Sequence, residues 1–132
     1  MIRGLLITHG ELGRELLRVV EMVMGPVAGL EFLSNADTSL PDLSRRVAAA
    51  ATAADVDGLL VFTDDFGGSC TTAARLALRG CHARVLTGVN LAMLLEFAAW
   101  RDELPLPELA ARLVRTGREA VSEVAPAPGE AD

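Results

Sequence analysis

Short, nearly unbroken apolar runs alternate along this chain with longer stretches whose apolar residues recur at helical spacing. Residues 2–7 form the first run, as expected of a strand buried on both faces of a parallel sheet. From Glu11 the period changes: Leu12, Leu16, Val19, Val20 and Val23 line one face, and Glu11, Arg14, Glu15, Arg18 and Glu21 the other. Gly25-Pro26 closes this helix, glycine as a C-terminal cap and proline because it cannot continue the hydrogen-bond ladder.

The alternation repeats to the end of the chain. Residues 27–33 predict a second strand, and Ser34-Asn35-Ala36-Asp37 a loop of residues that bond their own backbone. Ser39 or Thr38 caps a helix running to Ala54, with Pro41 in its first turn and Leu43, Val47, Ala50 and Ala51 as its apolar stripe. After the turn Asp55-Val56-Asp57-Gly58, residues 59–62 are the clearest buried strand, followed by a helix over 70–78. Residues 83–87 predict a fourth strand, Gly88-Val89-Asn90 opens a helix to Trp100, and a last helix covers 107–124 with Leu109, Leu113, Val114 and Val121 on one side. Glu108 and Arg112, four apart, are expected on its outer face and near neutral for stability.

Strands alternating with amphipathic helices imply βαβ units, hence a single-domain α/β fold with a mainly parallel sheet and helices on both faces. Residues 1–124 are the expected domain, and 125–132, alternating alanine and proline, a flexible tail. At 132 residues the chain can bury a core without disulfide or metal staples. Its apolar runs are all shorter than the roughly 18 residues that a membrane span needs, so a soluble, cytoplasmic protein is expected.

Charge and composition exclude several classes. A net charge of −6 argues against nucleic acid, whose phosphates need a basic patch, and favours a basic partner surface. All 12 basic residues are arginine, so the chain can hold neither a phosphate-binding loop lysine nor a Schiff base. Cys70 and Cys81, even with His82, are too few and too poorly spaced for a structural zinc site, so two reduced thiols in the core or on the surface are expected and no metal.

Two loops carry the candidate chemistry. Thr8-His9-Gly10 lies where the first strand ends, and Asp64-Asp65-Phe66-Gly67-Gly68-Ser69 where the third ends. Taken singly, His9 reads as a strand-end histidine, Asp64 as a turn residue and Gly67-Gly68 as a flexible turn. Together they read otherwise, because ligands of open α/β sheets sit beyond the carboxyl ends of strands where the strand order reverses. Sequence alone leaves the order open; in the order 2-1-3-4 His9 and Asp64 emerge side by side. A neutral imidazole attacks phosphorus through one ring nitrogen while a carboxylate holds the proton of the other, the orienting role for Asp64. Peptide N–H groups of Gly67, Gly68 and Ser69 at a helix N-terminus suit the phosphoryl oxygens, the Ser69 hydroxyl can donate too, and Gly10 is expected in the same phosphoryl-binding set.

These motifs, with Gly88-Val89-Asn90-Leu91-Ala92-Met93-Leu94-Leu95-Glu96 and Thr116-Gly117-Arg118-Glu119-Ala120-Val121, resemble the mannose-family enzyme IIA component of the phosphoenolpyruvate-dependent phosphotransferase system (PTS). The resemblance spans residues 1–124. It implies a doubly wound, dimerising α/β domain that takes a phosphoryl group on His9 from HPr and passes it to a IIB component, with Asp64 as the partner of His9 and with no metal and no bound small cofactor. The membrane enters only through other PTS components. The alternative is a regulatory phosphohistidine protein whose phosphorylation controls partner binding without sugar transport; neighbouring genes for IIB, IIC and IID components would favour transport, and their absence regulation.

Three departures from the family pattern stand out. Asp65 follows Asp64 where the family commonly has a neutral residue, so either Asp65 points away or the domain holds its phosphoryl group less tightly. Cys70 stands where the family usually has proline, and the chain ends just after the alanine-proline stretch that often leads to a fused IIB domain. A nucleotide-binding module fits less well, because the loop after the first strand offers Gly10 and Gly13 without a third glycine. A subunit of dihydroxyacetone phosphorylation fits the Asp64 loop and Gly88-Val89-Asn90 less well.

Overall fold

The computed structural model describes residues 1–54 and 56–130. Elements alternate as the pattern requires: β1 (Arg3–Thr8), α1 (Leu12–Met24), β2 (Leu30–Ser34), α2 (Leu40–Ala53), β3 (Leu59–Thr63), α3 (Ser69–Ala77), β4 (Ala83–Leu86), α4 (Leu91–Trp100) and α5 (Leu106–Glu119). The strands form a four-stranded sheet, all parallel, in the order β2-β1-β3-β4. The order reverses between β1 and β3, whose register sets Ile7 beside Thr63. His9 and Asp64 therefore leave neighbouring strands at the same end of the sheet.

The pleat sends alternate residues to opposite faces and builds a core on each. Leu6, Leu60 and Phe62 pack with Val20 of α1, Leu94 and Phe97 of α4, and Leu109 and Leu113 of α5. Phe62 and Phe97 meet edge to face at 5.4 Å between centroids, a favoured aromatic geometry. Leu5, Ile7, Leu59 and Val61 pack on the other face with Leu43 and Val47 of α2 and Ala73 and Ala74 of α3. Alanine there lets both helices sit close to the sheet.

Caps place several helix starts. Ser39 accepts the Asp42 N–H at 3.2 Å, settling the choice between Thr38 and Ser39. Asn90 accepts the Met93 N–H at 3.0 Å and donates to the Gly117 carbonyl at 2.9 Å, tying α4 to α5. Gly25 ends α1 with φ 80°, the left-handed conformation that glycine adopts without strain.

Some expectations are corrected. Along α1, Val20 is buried and Leu16 and Leu17 pack on the core, but Leu12 and Val23 are 48% and 61% exposed. The buried line runs through Gly13 instead, because α1 approaches β2 so closely that a Cβ at Gly13 would lie 2.6 Å from the Phe32 ring. β2 begins at Leu30 rather than residue 27, since the chain first turns through Gly29 at φ 76°. α5 ends at Glu119, and Val121 is 79% exposed, with no core beyond the helix end to bury it. Arg112 is not an outer residue paired with Glu108: its guanidinium stacks 3.8 Å from the Trp100 ring centroid, and Nε lies 3.6 Å from Glu96 Oε2. The indole face and a half-buried carboxylate draw it inward. Residues 121–130 lack regular secondary structure and are exposed; Asp55 of the expected turn and Ala131 and Asp132 of the expected tail lie outside the described residues.

Candidate functional site

At the carboxyl end of the sheet, β1 delivers His9 and β3 delivers Asp64 to one point. His9 Nδ1 lies 3.2 Å from Asp64 Oδ1 and 3.1 Å from Oδ2, and Oδ2 also accepts the His9 backbone N–H at 3.0 Å. Asp64 thus grips both the ring and the main chain of His9. The imidazole is half exposed and the carboxylate mostly covered, 50% against 15% of their side chains. Among the described residues no group hydrogen-bonds Nε2 of this half-exposed ring.

The polypeptide around His9 is fixed by buried hydroxyls. Thr8 Oγ1 accepts the Gly13 N–H at 2.7 Å, satisfying one of the orphan donors in the first turn of α1. Thr63 and Thr71 share a hydroxyl contact at 2.7 Å, and the Thr71 hydroxyl also donates to the Asp65 carbonyl, fastening α3 to the end of β3. From β2, Ser34 donates to the Gly10 carbonyl at 3.1 Å, and the Gly10 N–H points to Asn35 Oδ1 at 3.4 Å. Gly10, expected among the phosphoryl-binding amides, is therefore a turn residue at φ 55° whose N–H already faces an acceptor. Ser34 and Asn35 were legible as a loop but not as site residues; the strand order 2-1-3 is the signal that puts the end of β2 beside His9.

Gly67, Gly68 and Ser69 lead into α3, with Gly68 as its N-terminal cap residue. The buried Cys70 Sγ, one residue on, lies with His9 and Asp64 in a group whose ligand atoms all fall within 4.8 Å of one another, so the start of α3 meets His9 in space. Burial, reinforced by the Asp64 charge, pushes the Cys70 thiol up to about 11 against a smaller lowering by Ser69. Asp65 does not turn fully away: a Cβ at Gly68 would lie 2.8 Å from Asp65 Oδ2, which puts that carboxylate over the N-terminus of α3. Phe66 beside it is 82% exposed.

The site is open rather than enclosed. A cavity of about 610 Å³ lies at the other pole of the sheet, lined by Ile2, His82, Arg101 and Leu106 among others, away from His9. A half-exposed imidazole on a shallow surface suits group transfer between proteins better than capture of a small substrate.

Residues 4–114 match the model of the EIIA-man family, described as the PTS system fructose IIA component. The chain belongs to this family of phosphoryl carriers in the phosphotransferase system. It is 35% identical over 130 residues to the PTS system mannose-specific EIIAB component of Escherichia coli (strain K12), and equally to that of Shigella flexneri. The match covers 93% of this chain but 39% of those relatives' length. Among solved structures, the mannose/sorbose specific IIA subunit from Enterococcus faecalis is 28% identical with a TM-score of 0.83, covering 97% of this chain and 98% of that one. The phosphotransferase system component EIIA from Streptococcus agalactiae has a TM-score of 0.85 at 23% identity, covering 93% and 97%, and shows the shared fold.

Proposed function

We propose that His9 is the residue on which this carrier holds its phosphoryl group, that HPr is the donor, and that a IIB component is the acceptor. The observation that carries this reading is the pairing of His9 Nδ1 with the Asp64 carboxylate at 3.1 Å, with Nε2 left unpartnered among the described residues. Asp64 holds the Nδ1 proton, so the Nε2 lone pair attacks phosphorus as the bond to the donor breaks. As the ring becomes positive, the adjacent carboxylate stabilises it. The reverse step delivers the group to the next carrier.

Amides of Gly67, Gly68 and Ser69 at the start of α3, and the Ser69 hydroxyl, hold the equatorial oxygens, while the start of α1 adds a second positive helix end. Residues 1–124 act as the carrier domain in the cytoplasm, and 125–130 as an extension of it. Among the described residues no helix is long and apolar enough to cross a membrane. A homodimer is supported by the family likeness and by the exposed Leu12, Met22, Val23 and Met24 of α1. Any role in sugar uptake comes through other PTS components.

The test is incubation with phosphoenolpyruvate, enzyme I and HPr. An acid-labile, base-stable phosphorylation that His9→Gln abolishes is expected. Label that persists in His9→Gln would move the carrier site elsewhere.

A further inference from the structure

The arrangement around His9 contains more than phosphoryl transfer uses. A ring nitrogen of His9, an Asp64 carboxylate oxygen and Cys70 Sγ lie within 4.8 Å of one another although they come from positions 9, 64 and 70, and Nδ1 is the ring nitrogen beside Asp64, at 3.1 Å. A nitrogen, an oxygen and a sulfur donor brought together make a borderline-soft ligand set. Donors around a tetrahedral zinc ion stand about 3–4 Å apart, so the trio needs to contract by at most about 1–2 Å. We propose that these three side chains form a zinc-binding site that, when filled, switches the carrier off.

The donor geometry shows how binding acts. Asp64 Oδ2 already holds the His9 backbone N–H at 3.0 Å, which leaves Oδ1 for the metal. Zinc takes the Nδ1 lone pair, so the single proton of neutral His9 moves to Nε2. Nε2 then carries a proton instead of a lone pair and cannot attack phosphorus. Cys70 binds as thiolate and releases its proton to water, one proton per ion bound. A water completes the tetrahedron.

Cys70 completes the site, because without the sulfur the remaining His9-Asp64 pair makes a weak two-donor site. The sequence pairs Cys70 with Cys81 and His82 only by proximity along the chain, but Cys81 and His82 lie exposed at the far end of α3 and take no part in this group.

Cobalt(II) serves as the spectroscopic probe for zinc on the full chain. Titration is expected to raise a thiolate-to-cobalt charge-transfer band saturating at one ion per chain, lost in Cys70→Ala, weakened at least tenfold in affinity in His9→Gln, unchanged in Cys81→Ala, and bleached by added zinc. No band, or a band that survives Cys70→Ala and disappears in Cys81→Ala, overturns the proposal. Circular dichroism and melting confirm folding of each variant, and Cys70→Ser, with a small polar side chain, replaces Cys70→Ala if the latter does not fold. The absorption reads metal binding without any phosphoryl transfer, so its outcome is separate from that of the carrier assignment. In the relay assay, zinc is expected to suppress labelling of the wild type and a chelator to restore it; labelling indifferent to saturating zinc would refute the switch.

Discussion

Asp64 binds His9 twice, through the ring at Nδ1 and through the main-chain N–H, across 55 positions of sequence. The main-chain bond fixes where the ring begins and the ring bond fixes how it is turned. A strand-end histidine that merely satisfied a backbone group would show neither. The double contact also separates the two ring nitrogens chemically, one committed to a carboxylate and the other without a hydrogen-bond partner among the described residues.

Asp64→Asn tests this division. The amide oxygen can still accept the His9 N–H, so the fold should survive with a loss of about 1–2 kcal/mol from the weaker hydrogen bonds. An amide cannot stabilise the imidazolium that forms on transfer, and its NH₂ group favours the wrong tautomer. Phosphoryl transfer should slow by about tenfold or more, measured by quench-flow with phospho-HPr. Wild-type rates would reduce Asp64 to a turn residue.

Asp65 adds negative charge over the start of α3, where the phosphoryl oxygens are to be held. Asp65→Asn removes that charge and leaves the shape. The phosphorylated fraction at equilibrium with HPr should rise a few-fold, most clearly at low ionic strength, because salt screens the exposed carboxylate. An unchanged or lower fraction would show that the carboxylate serves α3 instead.

Arg112→Ala should cost about 1–2 kcal/mol in urea denaturation, since the guanidinium covers the Trp100 ring and faces Glu96. Glu108→Ala, on the exposed side of the same helix, should change stability by less than about 0.5 kcal/mol. Equal effects would contradict the inward placement of Arg112.

Cys70 gives the stability a pH dependence. Its folded thiol is pushed up to about 11, above the ordinary thiol value of about 8.5, so the native state keeps a proton that the unfolded chain gives up. This contribution is complete below about 8.5 and is lost as pH rises toward 11. Denaturation midpoints should fall across that window and fall less in Cys70→Ala. At pH 8, a thiol reagent should modify the exposed Cys81 quickly and the buried Cys70 only on unfolding; equal rates would contradict the burial.

Much of the architecture was legible because its causes are local. The apolar run at residues 59–62, the cap at Ser39 and the stop at Gly25 each follow from neighbours along the chain. Both catalytic candidates could be placed at strand ends for the same reason, and the strand order then did the rest. What the pattern could not show depends on packing between distant segments. Leu12 and Val23 have the right spacing for the stripe of α1, but the close approach at Gly13 turns them outward. Arg112 has a suitable partner four residues away, yet Trp100 from another helix captures it. Gly10 looked like an open amide until Asn35 arrived from β2. Cys70 counts in the sequence only as one of two thiols too few for a zinc site, because nothing in its spacing hints that His9 lies near it.

The most direct test of the division between the two ring nitrogens is heteronuclear NMR of the ¹⁵N-histidine-labelled, phosphorylated protein. Phosphorus coupled to His9 Nε2, with Nδ1 protonated and shifted as expected for a carboxylate partner, is the expected result. Phosphorus on Nδ1, on His82 or on a thiol would contradict it.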